Sequence, residues 1–179
     1  MSAERRPSRV LLVGFLASGK TAVGRALAAA WGTGFLDLDE ILLAEEGAPS
    51  LLAMLEARGE PYFRARERAL LEGLTSAGAA VVATGSGTPA SEENLALLHR
   101  LGSVVFLHTP WETILARLGS KEGVLPPGLP PEALHAVYGQ RLPFYQRADL
   151  VLAPAPGETP EALALRLRML MREPVPCAI

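Results

Sequence analysis

Gly14-Phe15-Leu16-Ala17-Ser18-Gly19-Lys20-Thr21 decides the reading of this chain. It satisfies the pattern G-x-x-x-x-G-K-[ST], which a chain of this length meets by chance about once in a hundred or less. Each fixed position has a physical reason. The glycines let backbone N–H groups turn inward around phosphate oxygens. A helix that starts at the loop points its positive end at the same oxygens. Lys20 adds a mobile point charge, and Thr21 offers a hydroxyl to a divalent cation. The flanks fit: residues 10–13 are an apolar run, and residues 21–31 place Val23, Leu27 and Ala30 on one helical face. The candidate nucleotide contacts are therefore Ala17, Ser18, Gly19, Lys20, Thr21 and Ala22, with Lys20 also a catalytic candidate.

Working outward, short apolar runs alternate with helical patterns. Residues 35–39, 79–84, 104–107 and 150–152 read as further strands. Residues 41–46, 50–58 and 61–74 read as helices, as does 92–100 behind an N-capping Ser91. Thr109-Pro110-Trp111-Glu112 has capping-box spacing with proline at the first helical position. Thr159-Pro160-Glu161 opens a last helix that runs to about Met171. Five buried strands alternating with helices predict an α/β fold: a five-stranded parallel sheet flanked by helices on both faces, in three layers. One domain is expected over 1–179, with a glycine- and proline-rich lid at 119–131 and a loose tail at 173–179.

Composition narrows the partners. The chain has 179 residues, 49% apolar and 20% charged, enough for one folded core. A net charge of −2 offers no basic stripe to a nucleic-acid backbone. Arg5, Arg6 and Arg9 before the run 10–17 resemble the start of a secretory signal, but the run contains Gly14 and ends in Ser18-Gly19-Lys20. The single Cys177 excludes an intrachain disulfide framework. A cytoplasmic monomer with no nucleic-acid or membrane partner is expected.

Three further segments carry chemistry. In Phe35-Leu36-Asp37-Leu38-Asp39, strand periodicity sends Leu36 and Leu38 to one face and the two carboxylates to the other. One carboxylate is suited to a metal through its water shell. The other is suited to orient or deprotonate an acceptor hydroxyl. The same residues also read as capping acids before Glu40, with Asp39 as the cap. Phe63, Glu67, Leu70 and Leu74 share a helical stripe, and the acid inside it calls for a partner three residues away, Arg64. An arginine so held is oriented to fork a carboxylate. Gly85-Ser86-Gly87 follows a buried strand and reads either as a plain turn or as a place of close ligand approach. Arg141 reads as a surface residue or a ligand contact.

Taken together, GxxxxGKT at Gly14, DxD at Asp37 and Asp39, GE…FR at Gly59–Arg64, ATGSG at Ala83–Gly87, Arg117, and R-x-P-x-Y at Arg141–Tyr145 resemble the shikimate kinase family of P-loop kinases. The likeness runs from about Val10 to Met169. It implies ATP-dependent phosphorylation of the 3-hydroxyl of shikimate, with Mg2+ served by Thr21 and Asp37. It implies that Asp39, Arg64 and Arg141 hold the acceptor, that Ser86 supplies a backbone contact, and that Arg117 flanks the adenine. The chain departs from the pattern at Ala17 and Ser86, where the family has glycine, and at Leu125, where its lid has arginine. Lys121 is the only cation in this lid. These departures keep two alternatives in view: a paralogue that phosphorylates another carboxylated cyclic polyol, and a nucleotide-binding regulator with an impaired lid.

Overall fold

Alternation along the strands organises the molecule, because each strand must bury both of its faces. The computed structural model describes residues 9–74, 81–119 and 130–171. Its elements run β1 (Val10–Val13), α1 (Lys20–Trp31), β2 (Phe35–Asp37), α2 (Leu38–Glu46), α3 (Leu51–Arg58), α4 (Glu60–Gly73) and β3 (Val81–Ala83). They continue through α5 (Glu92–Leu101), β4 (Ser103–Leu107), α6 (Trp111–Gly119), α7 (Pro131–Tyr145), β5 (Leu150–Leu152) and α8 (Pro160–Met171). The strands form one parallel sheet in the order β2-β3-β1-β4-β5. The expected α/β sheet flanked by helices is what forms.

Period two splits β1 between the two faces. Leu11 and Val13 join Val82, Val104 and Phe106 in a core closed by Leu71 of α4, Leu98 of α5, Ile114 of α6 and Tyr145 of α7. Val10 and Leu12 join Val81, Val105 and Leu152 under Val23 and Leu27 of α1 and Leu163 and Leu167 of α8. Each fully buried leucine or valine contributes about 1.5–3 kcal/mol of transfer free energy. A smaller cluster of Leu42, Met54 and Phe63 ties α2, α3 and α4 together beside the sheet. The chain leaves β1 toward β2 on one side and returns to β4 on the other. The crevice at the carboxyl end of β1 is therefore a switch point of the kind that receives ligands.

Two local expectations are corrected. Strand β2 ends at Asp37, and α2 begins at Leu38. Asp37 and Asp39 therefore do not share a strand face, and Asp37 rather than Asp39 caps the helix. Asp37 Oδ1 accepts from the N–H of Asp39 at 3.0 Å and of Glu40 at 3.4 Å. The Thr109 hydroxyl does not make a capping box either; it donates to the carbonyl of Ser18 at 2.8 Å. Pro110 is not the first helical residue either: α6 begins at Trp111, and the Pro110 carbonyl, just before it, accepts from Ile114 N–H. Ser91, by contrast, caps α5 as expected, accepting from Asn94 N–H. Most of the expected lid, with Lys121 and Leu125, lies outside the described residues, as does the tail.

Candidate active site

The phosphate loop lies between β1 and α1 and is strapped by α6 and by Thr109 just before it. The buried Thr109 holds the Ser18 carbonyl, and Arg117 Nη1 donates to the Ala17 carbonyl at 3.0 Å. With those carbonyls engaged from outside, the loop is braced in one conformation. Lys20 Nζ donates to the carbonyls of Gly14 and Phe15, both at 2.9 Å, so its ammonium curls over the loop. Ala17 has φ 56°, a left-handed conformation that an L-residue with a side chain adopts at a cost of about 1 kcal/mol. Phe15 is buried under the loop, edge-on to Tyr138 with centroids 5.3 Å apart.

Beside the loop, Thr21 Oγ1 donates to Asp37 Oδ2 at 2.6 Å. The two oxygens of Asp37 thus divide their work: one caps α2, and the other meets the threonine of the loop. One hydroxyl and one carboxylate make a sparse, hard-oxygen site. That fits Mg2+, which keeps several waters and takes few protein ligands. No cluster of three or more His, Cys, Asp or Glu suited to a metal occurs among the described residues, so a caged transition-metal site has no support there.

Asp39 sits in the first turn of α2, and its carboxyl titrates far from its ordinary range. Burial pushes it up to about 6; Lys20 opposes the shift, Asp37 and Glu67 add to it, and Arg64 opposes it. Such a group is ionised at neutral pH yet remains a competent proton acceptor.

Glu67 organises the acceptor end. It is 5% exposed, and its Oε2 accepts from Arg64 Nη1 at 2.5 Å while its Oε1 accepts from Thr88 Oγ1 at 2.9 Å. Glu60 adds a second carboxylate to Arg64 through Nη2 at 3.2 Å. Burial alone would lower the Arg64 pKa; the charge and hydrogen bonds of Glu67 and Glu60 carry it above its ordinary value. The glycines of Gly85-Ser86-Gly87 answer to this crowding. A Cβ on Gly85 would lie 2.5 Å from Glu67 Oε1 and 2.8 Å from Asp39 Oδ1, and one on Gly87 would lie 2.8 Å from Arg64 Cζ. Ser86 between them meets α7: its Oγ accepts from Arg141 Nη1 at 3.0 Å, and its carbonyl accepts from the fully buried Tyr145 hydroxyl at 2.6 Å.

Two clefts open here. One, of about 510 Å³, runs along the loop past Lys20, Thr21, Asp37, Asp39, Ser86 and Arg117. The other, of about 700 Å³, is lined by Arg64, Gly87, Asn94, Gln140 and Arg141. Ser86 faces the first and Gly87 the second, so this turn partitions them. The arrangement suits in-line transfer: phosphates on the loop, a carboxylate beside them, and two guanidinium groups beyond.

The family model described as shikimate kinase matches residues 16–171. The chain belongs to the shikimate kinase family. A shikimate kinase of Neisseria meningitidis serogroup C is 36% identical over 163 residues, covering 89% of this chain and 95% of its own. One from Parasynechococcus marenigrum is 40% identical over 156 residues, covering 86% and 80%. The solved structure of the Acinetobacter baumannii shikimate kinase in complex with shikimate superposes with a TM-score of 0.82 at 34% identity, covering 91% of this chain and 92% of that one. The resemblance expected from the motifs is thus borne out, and the fold is that of a shikimate kinase.

The structure gathers nearly every expected site residue around these two clefts. Ala17, Gly19, Lys20, Thr21, Ala22, Asp37, Asp39, Ser86 and Arg117 line the first cleft, and Arg64 and Arg141 line the second. Ser18, within the loop, is buried at 2% exposure and lines neither cleft. Thr88, Thr109 and Tyr145 were not anticipated in these roles. Thr88 and Tyr145 act through partners 21 and 59 residues away, which no local pattern reveals.

Proposed function

We propose that this chain transfers the γ-phosphoryl group of ATP to the 3-hydroxyl of shikimate. The observation that carries the reading is Asp39: a carboxylate raised to about 6, set between the Lys20 end of the loop and the Arg64 end of the acceptor cleft. The related shikimate complex supports the choice of acceptor. Neither another cyclic polyol acid nor a purely regulatory role has comparable support.

In this reading, backbone groups of residues 17–22 cradle the β- and γ-phosphates, and Lys20 swings its ammonium from the loop carbonyls to their oxygens. Arg117, anchored on the Ala17 carbonyl, flanks the adenine. Thr21 and Asp37 would hold Mg2+, which supplies positive charge to the phosphates. Arg64 and Arg141 fork the acceptor carboxylate, and Asp39 orients the reacting hydroxyl. The new O–P bond forms at that hydroxyl as the bond to the ADP oxygen breaks, and the hydroxyl proton passes to Asp39. Loose in-line transfer asks chiefly for positioning and charge, which these groups supply. One domain spanning 1–179, acting as a monomer in the cytoplasm, completes the proposal. Among the described residues, no helix is long and apolar enough to cross a membrane.

The test is ADP release, coupled to NADH oxidation, from purified protein with ATP and Mg2+ plus shikimate, quinate or buffer alone. Release that depends on shikimate supports the reading. A rate equal in all three, or one driven by quinate, overturns it.

A further inference from the structure

The two arginines of the acceptor end are anchored by different chemistry. Arg64 is gripped by two carboxylates, Glu67 and Glu60. Arg141 has no carboxylate partner among the described residues. It donates to a hydroxyl, Ser86 Oγ, at 3.0 Å, and the Tyr145 hydroxyl lies beside it. Its Cζ sits 5.7 Å from the centroid of the Phe15 ring. A cation–π contact at that distance attracts the guanidinium but leaves it free to reorient. The hydrogen bond that Nη1 donates to Ser86 Oγ restricts that freedom. Because the acceptor of this bond is neutral, Arg141 is oriented without having its charge offset, so the charge stays available to an anion.

Ser86 is well placed to hold it. The residue is 9% exposed, and its carbonyl is fixed by the Tyr145 hydroxyl at 2.6 Å. Arg141 and Tyr145 are four residues apart on α7 and share one face of it. The turn thus grips that face at two points, and only one of them needs a side chain at position 86. We propose that the Ser86 hydroxyl is a positioning group for Arg141, and through it sets the affinity of this enzyme for a carboxylated acceptor. The inference rests on the reading that Arg141 binds the acceptor carboxylate. With glycine at position 86, Arg141 would lose this hydroxyl anchor while the backbone grip on Tyr145 stayed.

The test is a double-mutant cycle in the full chain, with steady-state kinetics for shikimate and ATP. Ser86→Ala is expected to raise KM for shikimate by about five- to tenfold, as for loss of one hydrogen bond to a charged group that other contacts partly hold. Its kcat and its KM for ATP should stay within about twofold. In an Arg141→Ala background, Ser86→Ala should add nothing. With shikimate methyl ester, which lacks the anion, Ser86→Ala should leave KM unchanged. An unchanged KM for shikimate in Ser86→Ala, while Arg141→Ala raises it, overturns the proposal alone. An equal rise in both backgrounds also overturns it, since the effect would then not pass through Arg141. If Arg141→Ala itself leaves KM for shikimate unchanged, the carboxylate reading fails and the proposal falls with it.

Discussion

Replacing Asp39 by asparagine should stabilise the fold while it disables the enzyme. The carboxyl is raised from 3.8 to about 6, with burial the leading cause. At about 1.4 kcal/mol per pKa unit, holding it ionised costs the folded state up to about 3 kcal/mol. Asp39 is partly exposed, which lessens the cost. It also lies in the first turn of α2, where an anion gains about 0.3–1 kcal/mol from the helix terminus. The net gain for Asp39→Asn near pH 8 is therefore about 1–2 kcal/mol. The sign follows from linkage. A carboxyl with a raised folded-state pKa contributes its stability below the unfolded value and loses it as pH rises through the folded one. The difference between variant and wild type should therefore vanish near pH 4, grow between about 4 and 6, and level off above. Urea unfolding followed by the fluorescence of Trp31 and Trp111, repeated across that range, reads it directly. Turnover should fall by about 10²–10⁴, the usual contribution of a positioned base. A variant no more stable than wild type near pH 8, or a gain that does not change with pH, would refute the burial argument.

Lys20→Ala should abolish measurable turnover and leave thermal unfolding near that of wild type, as a circular-dichroism melt checks. Arg64→Ala and Arg141→Ala should each raise KM for shikimate by about tenfold or more and spare ATP affinity; titration calorimetry with each ligand separates the two. Ala17→Gly should raise stability to urea by about 1 kcal/mol, because glycine adopts the φ of 56° without strain. A loss of stability would mean that the alanine methyl packs usefully. Gly87→Ala should raise KM for shikimate about as much as Arg64→Ala does, since its Cβ would displace the Arg64 guanidinium. The rate against pH, as kcat/KM for shikimate, should rise through about 6 in the wild type, and Asp39→Asn should lack that limb.

The sheet was legible because its strands are short, wholly buried runs and because the loop motif marks the end of β1. The Arg64–Glu67 pair was legible too, since an acid on an apolar stripe needs a partner within a turn. Asp37 and Asp39 read as strand partners by period two, but β2 has only three residues, too few for that period to show where it stops. Either acid could have capped α2, and the choice is made by the reach of Asp37 Oδ2 to Thr21, 16 residues away. Thr109 fitted a capping box, yet its hydroxyl serves a carbonyl 91 residues away. Local spacing cannot rank such a partner against a nearby one. The same holds for Thr88, Tyr145 and the Ser86–Arg141 bond, all made only when α4, the Gly85-Ser86-Gly87 turn and α7 converge.

The account stands most directly on the identity of the product. Purified protein incubated with ATP, Mg2+ and shikimate should yield one phosphorylated acceptor for each ADP, and phosphorus–proton correlation NMR should place the phosphate on the 3-hydroxyl. ADP without phosphorylated acceptor, or phosphate on a different hydroxyl, would contradict it.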